Sequence, residues 1–380
     1  MAPLELASGI NGSSKPSLMK AVRFHGKGDL RLEDIPEPHV GPSQIKLKPA
    51  WVGICGTDLH EYLGGPNLCP TTPHPITREK VPVTFGHELS GVIEEVGDGV
   101  DDLRPGDRVC VQPIIYDGTC GACEAGLVNC CYSNGFIGLS GWGGGFSEHM
   151  VIPRDAVYKL PDNVSLEVGA LIEPLAVGWH AVKIAALPPP PTAITALILG
   201  GGPIGLSMIQ SLRAHSPNHT IIVSEPSPKR AELAASFGAT HVLSPLTSNI
   251  PATVRKLSPG GWGAHVAFDC AGVQAGLDDA VESVRAEGKI VNVAIWEKPP
   301  RVDANALCFK ERTYMGVATY RKGDFAAVID AVSQGLITPE AMISKRVDGL
   351  DGVLEGGFKS LIADRDRLVK VLIRANDVGE

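Results

Sequence analysis

The run Gly200-Gly201-Gly202-Pro203-Ile204-Gly205 constrains the fold of this chain more than any other feature. It follows directly on an apolar stretch with strand character, residues 195–199, and opens an apolar stretch with helix character. Each glycine has a separate reason. Gly200 permits a tight turn, Gly202 lets a pyrophosphate come against the main chain, and Gly205 lets the helix pack closely on the strand, while the free N–H groups of the helix start face the phosphates. Pro203 and Ile204 complete the first helical turn. A glycine-rich turn with no ligand is the plain alternative, but the strand–turn–helix setting favours a bound dinucleotide.

Glu225 ends the next predicted strand, twenty residues beyond Gly205. A carboxylate there can accept hydrogen bonds from both ribose hydroxyls and repels a 2′-phosphate, so NAD is expected over NADP. Lys229 and Arg230 lie close behind; they can clamp a phosphate, or they form a solvated first turn of a helix. Predicted strands at 195–199, 220–224, 241–243, 265–269 and 289–293 alternate with helical stretches, which implies an α/β fold with a doubly wound parallel sheet. A helix is expected from 173 to 185 and another from 324 to 334. From about 20 to 152 the apolar runs are short, β-rich and punctuated by Gly and Pro, as at 46–52, 81–85, 91–96 and 108–112, which predicts a β-rich first domain.

A chain of 380 residues exceeds what one core usually serves, so two domains are expected. The net charge of -8 disfavours nucleic acid and anionic membrane as partners, leaving a small molecule. Residues 187–212 carry no charge and are long enough to cross a bilayer, but Pro188 to Pro191 and the glycine turn interrupt them. Residues 1–17 are rich in Ser, Gly and Pro and read as a mobile tail without a targeting signal; with the cysteine usage, this points to the cytoplasm.

Nine cysteines is an odd number, and four of them crowd between Cys120 and Cys131, a distribution that suits a metal site rather than a disulfide framework. A second concentration, Cys55-Gly56-Thr57-Asp58-Leu59-His60, packs a thiol, a hydroxyl, a carboxylate and an imidazole into six residues. Taken singly these are a buried cysteine and a surface histidine. Beside Gly86-His87-Glu88 they match catalytic zinc chemistry.

Here the chain resembles the zinc-containing medium-chain alcohol dehydrogenase superfamily, whose signature GHE-x2-G-x5-G-x2-V appears as Gly86, His87, Glu88, Gly91, Gly97 and Val100. The resemblance runs from Leu18 to the end. It implies a GroES-like catalytic domain over 18–173 and 321–380 and a Rossmann domain over 174–320. It further implies catalytic zinc ligands Cys55, His87 and Glu173, the last standing where classical members carry a cysteine, with Glu88 tuning the metal. Asp117, Cys120, Cys123 and Cys131 resemble the family's structural zinc lobe with its first cysteine replaced; Cys130 is the alternative fourth ligand, and a metal-free loop the remaining possibility. The same resemblance assigns Thr57 and His60 to a proton path from the substrate oxygen to solvent.

The glycine-rich run at 135–145 and the stretch at 58–66 are similar to the butanediol dehydrogenase branch. The implied reaction moves a hydride between NAD and a vicinal diol or acyloin, such as 2,3-butanediol or acetoin, in a dimer or tetramer. A sorbitol- or xylitol-type polyol dehydrogenase is the alternative. A non-catalytic dinucleotide-binding protein on the same scaffold is the reading from a different class, and the joint presence of Cys55, Thr57, His60, His87 and Glu173 argues against it.

Overall fold

The computed structural model of the chain describes residues 17–379, so the tail expected over 1–17 lies, except for Ser17, outside the described residues. The described residues divide into two compact units, one of residues 17–171, 345–363 and 371–379, the other of 172–344 and 364–370.

In the second unit six parallel strands form one sheet. The first along the chain, Thr195–Leu199, lies between Thr220–Ser224 and Ala264–Asp269; His241–Leu243 extends the sheet on one side, and Val284–Asn292 and Thr313–Gly316 on the other. The order therefore reverses beside Thr195–Leu199, and in open sheets of this kind ligands bind outside the carboxyl ends at such a reversal. Every residue of Thr195–Leu199 is buried, as expected of a strand covered on both faces. The uncharged stretch resolves into an irregular proline segment, this strand, a turn and the helix Pro203–His215. No helix among the described residues is long and apolar enough to cross a membrane.

The helix Ile172–Ile184 lies close on Pro203–His215, with Gly178 against the Ser207 main chain, where a Cβ would come within 2.8 Å of the Ser207 carbonyl carbon. The helix Lys322–Ser333 packs on Ile172–Ile184 through Asp324, whose carboxylate accepts hydrogen bonds from Lys183 Nζ at 2.5 Å and from His180 Nδ1 at 2.6 Å. The resemblance assigned everything beyond 321 to the first domain. The structure groups 321–344, together with 364–370, with the second unit, and this buried polar contact joins the first of those segments to Ile172–Ile184.

The first unit is built on antiparallel sheet. Leu18–Gly26 sits between Asp29–Pro36 and Val83–Thr84, while Gln44–Gly53 and Glu88–Val96 form the middle of a seven-stranded sheet. Phe24 and Phe85 stack at 4.7 Å, and Phe358 approaches Phe85 and Phe146 at 6.3 and 6.4 Å, so the segment 345–363 closes the core of this unit.

Candidate active site and metal centres

One register decides where the first cluster forms. Gln44–Gly53 and Glu88–Val96 pair antiparallel with Gly53 opposite Glu88. Cys55, two residues after one strand, and His87, one residue before the other, therefore leave the sheet at the same end. The approach is close enough that a Cβ on Gly53 would overlap the Glu88 carboxylate. As a result the Cys55 sulfur, a His87 ring nitrogen and a Glu88 carboxylate oxygen all lie within 4.8 Å of one another. Glu88, expected only to tune a metal, stands with two of the three expected ligands, Cys55 and His87.

Cys55 precedes the helix Gly56–Gly64 in extended conformation, and its N–H donates to Asp58 Oδ2 at 2.9 Å. The other Asp58 oxygen lies 3.2 Å from His87 Nδ1, at ion-pair distance but without the alignment of a hydrogen bond. Burial opposes protonation of His87, but the Asp58 carboxylate and then the Cys55 sulfur hold its pKa well above the ordinary imidazole value. The pocket thus gathers buried negative charge and soft and nitrogen donors, a donor set that fits zinc. The sequence counts Asp58 only as the carboxylate of the Cys55–His60 cluster and gives it no role of its own, although an acid three residues after a helix-start residue is a recognisable capping signal. Thr57 Oγ1 sits 3.7 Å from the Cys55 sulfur, and Thr57 and His60 are three apart on the same helix, hence on one face.

Glu173 opens the helix Ile172–Ile184 in the second unit, where it is buried and accepts a hydrogen bond from the Tyr320 hydroxyl at 2.9 Å. No local pattern announces Tyr320, which lies 147 positions away.

In the second cluster Asp117, Cys120, Cys123 and Cys131 bring one donor atom each to within 4.8 Å of the others. Cys130 is exposed and outside it, so of the two alternatives Asp117 is the one that stands with the three thiols. Asp117 accepts from the N–H groups of Thr119 and Cys120 at 2.7 and 2.9 Å, which hold its pKa down at about 2. The Cys131 sulfur accepts from the N–H of Asp117 and of Ser133, each at 3.4 Å, and the Cys120 sulfur from that of Tyr132 at 3.5 Å. Main-chain donors aimed at sulfur favour thiolate, the form that binds zinc; the Tyr132 N–H lowers the Cys120 pKa, whereas at Cys131 burial outweighs the N–H groups and raises it.

At the glycine turn, Gly200 has φ +95°, and a Cβ on Gly205 would overlap the Gly200 carbonyl oxygen. Gly202 differs: a Cβ there would have only Arg230 Nη1 near it, at 3.8 Å, so the space is open for a ligand. Glu225 Oε2 accepts from Gly201 N at 2.6 Å and Oε1 from Ser227 N at 2.7 Å, so this carboxylate also ties the turn to the strand end. Arg230 donates to the carbonyl oxygens of Arg365 and Leu368, and Lys229 pairs with Glu232 at 3.1 Å. Their groups are thus engaged with protein.

Residues 41–162 match the alcohol dehydrogenase GroES-like domain, and residues 203–334 match the zinc-binding dehydrogenase domain. The (R,R)-butanediol dehydrogenase of Bacillus subtilis is 41% identical over 359 residues, covering 94% of this chain and all of the relative. This chain belongs to the zinc-binding alcohol dehydrogenases. The crystal structure of 2R,3R-butanediol dehydrogenase from Bacillus subtilis superimposes on this dehydrogenase with a TM-score of 0.86 at 40% identity, over 94% of this chain and 100% of that one. The sorbitol dehydrogenase of the same organism is more distant, 32% identical over 90% of this dehydrogenase and 95% of its own length.

Proposed function

We propose that this dehydrogenase interconverts 2,3-butanediol and acetoin with NAD(H), using zinc. The observation that carries the reading is the cluster of Cys55, His87 and Glu88, a thiolate, imidazole and carboxylate set within 4.8 Å. Zinc bound there supplies Lewis acidity at the substrate oxygen, which eases loss of the hydroxyl proton in oxidation and polarises the carbonyl in reduction. NAD held at the glycine turn and Glu225 would accept the hydride of the alcohol carbon while the oxygen's proton leaves to solvent, which gives the ketone. Thr57 takes part in holding that proton and His60 in passing it out.

The glycine turn and Glu225 bind the dinucleotide. Gly202 leaves open the space a pyrophosphate fills, and Glu225, a buried carboxylate at the end of Thr220–Ser224, disfavours a 2′-phosphate. The Asp117, Cys120, Cys123 and Cys131 cluster holds a second, structural zinc. Similarity to the butanediol dehydrogenase favours a vicinal diol over a polyol. A cytoplasmic homo-oligomer, dimer or tetramer, completes the reading.

The test is NADH formation from each 2,3-butanediol stereoisomer, sorbitol, xylitol and a primary alcohol, with and without a strong zinc chelator. Chelator-sensitive turnover highest on one butanediol isomer is expected. A preference for sorbitol or xylitol would replace the substrate, and absence of turnover with zinc bound would overturn the enzymatic reading.

A further inference from the structure

The glycine-rich run at 135–145 has no part in the chemistry above, yet it lies against the main chain that carries His87. Gly145 N donates to Gly86 O at 2.8 Å and Phe146 N to Phe85 O at 2.9 Å, so the end of the run pairs with residues 85–86. A Cβ on Gly138 would overlap the Gly86 carbonyl and come within 3.0 Å of His87 N. Gly138 N is itself held by Gly143 O at 2.8 Å. Gly138 therefore presents main chain to the Gly86–His87 peptide, at a separation that leaves no room for a side chain.

The run has anchors of its own. Thr77 Oγ1 donates to Ser140 O at 2.6 Å, and Trp142 N donates to Glu79 Oε1 at 2.7 Å. Ile137 N donates to Pro113 O at 2.8 Å. The loop is thus held by three hydrogen bonds besides its contact with Gly86.

We propose that this glycine loop is the positioning element of the metal centre, with Gly138 a positioning residue whose missing side chain sets where the His87 imidazole stands relative to Cys55 and Glu88. The inference rests on the proposed role of those three residues as zinc ligands. Its physical basis is that donor atoms must sit within a few tenths of an ångström of their metal distances, so a shift of the supporting main chain weakens binding.

The experiment is zinc release from the loaded full-length protein to a colorimetric chelator, followed in time, together with zinc stoichiometry and the thermal midpoint. Cys55→Ser identifies which phase of release belongs to this centre. Gly138→Ala is compared with Gly143→Ala. Both positions have positive φ, +82° and +73°, so both variants carry the same kind of backbone strain, but a Cβ on Gly143 would meet only the Met150 Cβ, at 3.5 Å. Expected is release from the Cys55 phase at least about tenfold faster in Gly138→Ala, with Gly143→Ala near wild type and the other phase unchanged in both.

Equal effects of the two variants, or acceleration of both phases together, would show only general loosening and overturn the proposal. Where Gly138→Ala does not fold, Thr77→Val frees Ser140 O without adding bulk; faster release in the Cys55 phase then supports the proposal, and unchanged release overturns it. If Cys55→Ser alters neither phase nor stoichiometry, the metal reading itself fails, a result distinct from a silent Gly138→Ala, and the proposal falls with it.

Discussion

The Tyr320 hydroxyl donates to Glu173 Oε1 at 2.9 Å, and four residues further on Asp324 binds His180 and Lys183 of the same helix. One short segment thus holds Ile172–Ile184 at three polar points. Asp324 is fully buried, so removing its charge leaves His180 and Lys183 without their partner. Asp324→Asn is expected to cost about 3 kcal/mol and Tyr320→Phe about 1 kcal/mol, read from urea unfolding. A midpoint unchanged in Asp324→Asn would show that the contact does not contribute.

Acid stability follows from two groups of the second unit. His219 is pushed down to about 4 by burial and then by the neighbouring His215 and Arg213. Its neutral ring accepts from Ile194 N at 3.3 Å and bonds His215 at 3.0 Å. The unfolded imidazole takes up a proton first, so this stability is complete above the ordinary value of 6.5 and is lost as pH falls from there to about 4. For Asp324, burial raises the pKa, but His180 and Lys183 outweigh it and depress the carboxyl far below its usual range. Its contribution is present above about pH 4 and declines below that. The thermal midpoint should fall in two stages, and His219→Asn should flatten the first. A flat wild-type profile between pH 6.5 and 4 would contradict the His219 assignment.

Two glycines of the dinucleotide turn should behave differently. In Gly202→Ala the new methyl enters open space, so stability should change by less than about 0.5 kcal/mol while the KM for NAD rises about tenfold or more, as lost phosphate contacts require. Gly205→Ala drives a methyl into the Gly200 carbonyl and should lower stability by about 1–3 kcal/mol along with NAD binding. An unchanged KM for NAD in Gly202→Ala would remove the pyrophosphate from that space.

Asp117 should behave as a ligand of the second metal. Asp117→Ala is expected to lose one zinc per chain or to release it faster, Asp117→Cys to retain it more tightly, and Cys130→Ser to match wild type, since Cys130 stands outside the cluster. Zinc content after dialysis against a chelator checks all three. Loss of zinc in Cys130→Ser instead would reverse the choice.

If Thr57 and His60 pass the proton outward, His60→Ala should slow alcohol oxidation mainly below neutral pH, where hydroxide is too scarce to take the proton directly. The comparison is kcat against pH in the two proteins, and parallel profiles would sink the relay.

The strands at 195–199, 220–224 and 241–243 were legible to the residue because they depend on local facts: an apolar run, a glycine or polar break, and the steric demands of a phosphate turn. Most donor residues of the two clusters were legible too, since Cys55, His87 and the 120–131 cysteines crowd into short motifs. Tertiary structure decided what depends on distance across the chain. Glu88 joins Cys55 and His87 only because Gly53 pairs with Glu88. Asp117 rather than Cys130 completes the second cluster through N–H groups that orient its carboxylate and the thiols. Residues 321–344 belong with the second unit, where a buried carboxylate meets a histidine 144 positions away. The glycine run at 135–145 reads locally as a turn, and its packing against Gly86 appears only once two remote stretches of main chain meet. Sequence by itself determined the elements and the chemistry available, because sterics and hydrophobic period act over a few residues; which groups share a site was left to strand register and buried polar pairing, which act between segments far apart in the chain.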